Sequence, residues 1–158
     1  MSGVHNLFLV YTGRDSNGLF NFEWFGFEMP PLGSIEATRM NLSSPGIIIE
    51  SCAEGGHDLG SFSNGSYVVY NDINMTGLTS FTARMASDAA SGGELQVHLD
   101  SPGGPLIGAC QVPITGDWQS WTNRSCNLIP SDGFHNLYLV YTGDSGATFN
   151  LKSFQLSP

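Results

Sequence analysis

The 158-residue sequence sets five Lys+Arg against 14 Asp+Glu for a formal net charge of −9, and charged residues make up only 12% of it. That balance repels phosphate backbones and anionic lipid, which excludes nucleic acid and membrane surfaces as partners, while neutral polymers such as polysaccharides carry no such penalty. The 20 glycines and a polar surface of hydroxyls and amides give the composition of a secreted, extracellular β-protein.

The chain opens without a charged-then-apolar signal segment, so Met1-Ser2 reads as an expression start with any signal lost or upstream, and no stretch has the length of a membrane span. An internal repeat follows at once. Residues 3–13 read GVHNLFLVYTG and residues 133–143 read GFHNLYLVYTG, and Phe20-Asn21-Phe22-Glu23-Trp24-Phe25 is matched by Phe149-Asn150-Leu151-Lys152-Ser153-Phe154. Nothing else of the module is duplicated. Residues 1–28 therefore read as the last two strands of a preceding module in a tandem array, residues 29–33 (Met-Pro-Pro-Leu-Gly) as a linker, and residues 34–158 as the module itself. Three placements of the N-terminal copy stay open: on the module's own edge, swapped into a second molecule as a strand-exchanged dimer, or in place of the C-terminal copy.

From Ser34 onward, short strand signals alternate with turn residues. Ser34–Ala37 and the β-branched run Ile47–Ile49, ending in Glu50, come first. Glu54-Gly55-Gly56-His57 is a loop and Ser63-Asn64-Gly65 a hairpin turn. Tyr67–Tyr70 follows. Phe81, Ala83 and Met85 alternate with Thr82 and Arg84, and Leu95, Val97 and Leu99 with Gln96 and His98, the pattern of half-buried strands. Leu137, Leu139 and Tyr141 continue it and Phe149–Leu156 closes it. About nine strands and no long helix predict an all-β fold, a two-sheet antiparallel β-sandwich of the jelly-roll kind.

Residues 106–126, LIGACQVPITGDWQSWTNRSC, concentrate the informative chemistry. Alternation on both sides of the Gly116-Asp117 turn predicts two strands, with Trp118 just past the turn among Gln119, Thr122 and Asn123. A flat apolar ring there is a candidate ligand platform; the competing reading places both Trp118 and Trp121 in the core. Three residues apart on a regular strand, the two would point to opposite faces. Cys110 and Cys126 close a short loop that a disulfide would stabilise by about 3 kcal/mol, provided that the strands diverge into different sheets. The alternative is three reduced core thiols. Cys52 is the odd thiol under the first reading.

No catalytic constellation stands out, and the chain reads as no enzyme. His5, His57, His98 and His135 show no metal-ligand spacing, so no metal site is expected. Glu36, Glu50 and Glu54 share no strand face as a glycosidase pair would need. Sequons at Asn41, Asn64, Asn74 and Asn123 mark exposed loops.

The segments YVVYNDINMTGLTSFTARMAS, ELQVHLDSPGGPLIGACQV, TGDWQSWTNRSC and FHNLYLVYTG…FNLKSF together resemble a family 6 carbohydrate-binding module across residues 34–156. The resemblance implies a jelly roll that binds plant cell-wall glycans such as xylan in a loop-edge cleft, as a non-catalytic unit alongside sister modules and tethered to a glycoside hydrolase. It implies that Trp118 is the stacking aromatic, Asn150 the asparagine of the last strand and Glu50 the carboxylate. The family's second ring is the tyrosine of a Gly-Tyr-Ile segment; here the segment is Gly60-Ser61-Phe62, so Ser61 stands in its place and Phe62 is expected to face the other way. Binding that is weak, or directed at another ligand, follows from that change, and a degenerate module serving as spacer or protein-contact unit is the alternative function. The family also commonly holds a structural calcium. Glu36 matches one of its carboxylates, but Thr38 and Lys152 replace two others, so no cofactor is expected and Lys152 is expected to pair with Glu36. One structural calcium near Glu36 is the alternative, should Glu23 of the N-terminal copy restore a carboxylate.

Overall fold

The computed structural model describes residues 8–10, 33–144, 146 and 148–158. Most of the N-terminal repeat, including His5, Glu23 and Trp24, and the expected strands and linker over residues 1–32 lie outside the described residues apart from 8–10. The described residues form eleven strands: β1 (Ile35–Glu36), β2 (Leu42–Ser43), β3 (Ile48–Ser51), β4 (His57–Gly60), β5 (Tyr67–Asn74), β6 (Ser80–Ser87), β7 (Gly93–Leu99), β8 (Leu106–Gln111), β9 (Asp117–Asn127), β10 (Phe134–Gly143) and β11 (Asn150–Ser157), with one 3-10 turn at Ala37–Arg39.

Two antiparallel sheets result. One runs β3-β4-β11-β6-β9, with β1 also paired to β11; the other runs β2-β5-β10-β7-β8. The expected all-β sandwich is thus the observed architecture. It holds two strands more than the sequence patterns suggested, because β2 has only two residues and β4 reads His-Asp-Leu-Gly, with a single apolar residue to signal it. Successive strands often belong to opposite sheets, and this corrects one local expectation. The Ser63-Asn64-Gly65 turn closes with a 2.8 Å bond from Ser66 N to the Ser63 carbonyl, but it joins β4 to β5 across the sandwich and is no hairpin. The sequons also differ from expectation in part, since Asn74 ends β5 and Asn123 lies within β9.

The period-2 pattern sends Leu95, Val97 and Leu99 of β7 and Leu137, Leu139 and Tyr141 of β10 inward, where all are buried, and burial of this apolar surface is what holds the two sheets face to face. Aromatic rings fill the core: Tyr70 of β5 meets Phe154 of β11 across the two layers, edge-on at 4.7 Å between centroids, and Phe62, just after β4, meets Phe149, just before β11, at 4.5 Å. Phe62 is therefore core, on the opposite side of the chain from Ser61, as expected. Gly93 and Gly143 face each other in register, and a Cβ at either would strike the buried Tyr141 ring.

The 106–126 stretch behaves as the diverging pair foreseen. β8 pairs with β7 in one sheet and β9 with β6 in the other, and a Cys110–Cys126 disulfide ties them across 5.2 Å between Cα atoms. Cys52 is free and buried.

Candidate functional site

At one end of the six-stranded sheet, Glu50, Ser51, Ser61, Trp118, Gln119, Thr148 and Asn150 line an open cavity of about 410 Å³. The four residues singled out from the sequence, Trp118, Asn150, Glu50 and Ser61, are all among them. Ser51 and Thr148 carried no sequence signal, being single hydroxyl residues in polar surroundings.

Each side chain is placed by a specific local feature. Trp118 follows Gly116, whose φ of 78° turns the chain out of the loop. The β6–β9 ladder then loses its regular register: Met85 pairs with Thr122, but Ser87 pairs with Asp117. Residues 118–121 thus oppose the single residue Ala86, a bulge that breaks strict side-chain alternation. That is why consecutive Trp118 and Gln119 both line the cavity, and why neither tryptophan of this stretch is in the core. Trp118 is 38% exposed, and Trp121 is half-buried, its Nε1–H donating to Gln119 Oε1 at 3.3 Å.

Asn150 is only 3% exposed. Its Nδ2 donates to Glu50 Oε1 at 2.7 Å and to the Trp118 carbonyl oxygen at 3.1 Å. Gly60 makes this approach possible, since a Cβ there would lie 2.8 Å from Glu50 Oε1 and 3.0 Å from Asn150 Oδ1. Ser61 holds a left-handed backbone, φ 62°. Thr148 Oγ1 is buried without a hydrogen-bond partner among the described residues.

Behind Glu50, Asp58 is its cross-strand neighbour and is fully buried. Burial pushes the Asp58 carboxyl above the usual carboxylate range; a hydrogen bond from Gln119 opposes the shift and the nearby Glu50 charge adds to it. Beside this group, Arg84 pairs with Glu54 and donates to Asn123 Oδ1 at 3.0 Å. The guanidinium bond holds the Glu54 carboxyl below its ordinary value.

Glu36 is not joined by Lys152, contrary to expectation. The Lys152 ammonium instead donates to the Gly55 carbonyl oxygen at 2.9 Å and reaches Cys52 Sγ at 3.5 Å. Lys152 sits at an irregularity in the β11–β6 register, between Leu151 and Ser153, which carries its head toward the β3–β4 turn. A calcium ion wants several oxygens, carboxylates among them. Thr38 and Lys152 stand where the family resemblance expects two of those carboxylates, and Glu23, the residue expected to restore one, lies outside the described residues.

What the arrangement offers chemically is one flat ring open to solvent, a carboxylate and an amide locked to each other beside it, and hydroxyls at the rim. A pyranose presents apolar C–H faces and a girdle of hydroxyls, and such a wall-and-rim site matches both.

Comparison with known proteins agrees with this geometry. Residues 36–158 match the family described as Carbohydrate binding module (family 6). An endo-1,4-beta-xylanase A of Thermoclostridium stercorarium is 32% identical over 153 residues, 90% of this chain and 23% of the relative. An arabinoxylan arabinofuranohydrolase of Paenibacillus polymyxa is 38% identical over 98 residues, 60% of this chain and 15% of the relative. The chain thus spans less than a quarter of either curated relative. Among solved structures, a family 6 module from Clostridium cellulolyticum in complex with xylose superposes with a TM-score of 0.76 at 46% identity, covering 80% of this chain and 97% of the other. The chain belongs to carbohydrate-binding module family 6, a family of non-catalytic binding modules.

Proposed function

We propose that this module binds xylan and xylo-oligosaccharides, or closely related β-linked plant cell-wall glycans, in the Trp118 cavity, and that it does no chemistry on them. The sugar's C–H face lies on the indole while Glu50 and Asn150 fix its orientation. The observation that carries this reading is the convergence of a part-exposed indole and the Glu50–Asn150 pair on one cavity, in a chain similar to a module solved with xylose. Its role is to keep an attached glycoside hydrolase close to its substrate, an effective-concentration effect. Relatives that are a xylanase and an arabinofuranohydrolase support that role. The inter-sheet disulfide suits secretion to an oxidising, extracellular setting, and the repeat of β10 and the start of β11 within residues 3–25 favours a sister module upstream. The module works without a cofactor in this reading, so its Tm is unchanged by added calcium or by chelator.

Affinity electrophoresis on xylan, β-glucan and cellulose tests the reading. Retardation by xylan that Trp118→Ala abolishes supports it, and migration unaffected by any of the three overturns it. A second reading, a spacer or protein-contact unit with little sugar binding, is favoured by one observation: Ser61 supplies no second wall. Under that reading wild type and Trp118→Ala migrate alike on all three gels.

A further inference from the structure

Beneath the groups that face the cavity lies a carboxylate whose presence is costly. Asp58 is fully buried: Oδ2 accepts a bond from Gln119 Nε2 at 3.1 Å, Oδ1 meets no hydrogen-bond partner of good geometry among the described residues, and the Cys52 and Glu50 side chains lie near enough to act on the carboxyl. A buried, half-satisfied carboxylate is unfavourable against an apolar side chain of similar size. The bond to Gln119 is the contact that offsets this cost most directly.

That bond fixes an amide. Gln119 Oε1 accepts from the Ala53 backbone N–H at 2.7 Å and from Trp121 Nε1–H at 3.3 Å, which fills its two lone pairs. The backbone N–H of Gln119 is held by Asp117 Oδ1 at 2.7 Å. If the amide flipped, its NH₂ would meet two other donors and its carbonyl oxygen would meet the Asp58 carboxylate. Only one orientation satisfies the surroundings, and in it a single hydrogen of the side chain is uncommitted, the second on Nε2. Gln119 lines the same cavity as Trp118, Glu50 and Asn150.

We propose that Gln119 is a sugar-contacting residue of this site, donating its second Nε2 hydrogen to a sugar hydroxyl or ring oxygen, and that buried Asp58 is the positioning residue that holds the amide for it. This rests on the sugar-binding reading of the cavity and adds a recognition element to it. Asn150 has directed both Nδ2 hydrogens at protein oxygens, and Glu50, as a carboxylate, only accepts. Gln119 is then the amide donor of the site, and it selects for sugars that present an acceptor beside the stacked face.

Isothermal titration with xylotetraose is the test, alongside Tm and the ¹⁵N–¹H signals of the Gln119 side-chain amide. Gln119→Leu weakens binding about five- to tenfold, the usual effect of one lost hydrogen bond. Asp58→Leu weakens it to a similar degree while its Tm is equal to or above wild type, because the buried, half-satisfied carboxyl is gone. Asp58→Asn, which still offers Gln119 an acceptor, recovers most of that loss. The double variant Asp58→Leu/Gln119→Leu binds no more weakly than Gln119→Leu alone, since the two residues act in series. In wild type, the Gln119 amide signals move on saturation with xylotetraose. Side-chain amide signals that stay in place, or effects of the two substitutions that add, overturn the proposal. Retained binding by Gln119→Leu with lost binding by Trp118→Ala overturns it too while leaving the cavity's function intact. A wild type that does not bind xylotetraose removes both.

Discussion

Asn150 Nδ2 donates to Glu50 Oε1 at 2.7 Å although 100 positions of chain separate the two residues. The same nitrogen also holds the Trp118 carbonyl oxygen, so one amide ties together β3, β9 and β11 where they meet the cavity. With its donors engaged in this way, Asn150 has Oδ1 left as the amide atom not used in these bonds, beside Gly60. Together with the Glu50 carboxylate, this makes a rim of acceptors suited to the hydroxyl donors of a sugar.

Gly60 is where this pair is most easily disturbed. A methyl group there would sit within 2.8 Å of Glu50 Oε1 and 3.0 Å of Asn150 Oδ1, so Gly60→Ala displaces both acceptors. The expected result is a folded protein, destabilised by about 1–3 kcal/mol through overpacking, whose affinity for xylotetraose falls roughly tenfold. Thermal melting and titration calorimetry on the same sample check both halves.

Ser61 lines the cavity together with Trp118 but contributes no ring to it. Ser61→Tyr restores a ring, and xylo-oligosaccharide affinity is expected to rise by about tenfold, within the 0.5–1.5 kcal/mol typical of an added aromatic contact. The cost falls on the backbone, because a bulky side chain at φ 62° is unfavourable. Titration calorimetry shows the gain, and a small drop in Tm accompanies it.

Much of this site could be read from the sequence because its parts are tied to strong local signals. Trp118 follows a Gly-Asp turn, Glu50 ends a β-branched run, and Asn150 opens the last strand; the family resemblance put them in one cleft. Other features had no such signal. β4 holds a single apolar residue, so neither that strand nor the Glu50–Asp58 pairing across it was visible. The bulge over residues 118–121 overrode the two-residue period that sequence reasoning relied on, and so Gln119 came to share the cavity with Trp118. Lys152 illustrates a third limit. The family resemblance placed it beside Glu36, in the position of a calcium-binding carboxylate, whereas the irregular register at Lys152 and the carbonyl at Gly55 decide where a long, flexible side chain ends.

The Cys110–Cys126 bridge spans a sequence separation of 16 and joins the two sheets. In the chain-entropy view its loss removes about 3 kcal/mol. Cys110→Ala/Cys126→Ala is expected to melt well below wild type, and wild type in reductant to approach the variant. The Trp118 cavity is lined by other residues, so its affinity for xylotetraose is expected to be kept at temperatures where the variant is folded.

His135 Nδ1 lies 2.8 Å from Asp100 Oδ2. The bond to Asp100 raises the His135 pKa, and the bond to His135 lowers that of Asp100. The histidine's contribution is therefore complete below its unfolded value and is lost as pH rises through its raised folded value. The aspartate's is present above its unfolded value and is lost as pH falls through its lowered folded value. Both hold only between the carboxylate and imidazole ranges. His135→Ala is expected to lower Tm modestly near pH 5.5, the pair being partly exposed, and to differ less from wild type at pH 8.5. Melting curves across that range settle the direction.

The most direct measurement is xylotetraose titration of Trp118→Ala beside wild type. The indole is the one large apolar surface the cavity presents, so its removal is expected to weaken binding about 30-fold or more, the scale of a buried aromatic anchor, with Tm nearly unchanged because the ring is 38% exposed. Equal affinity in the two proteins would contradict the account and place the sugar elsewhere on the module.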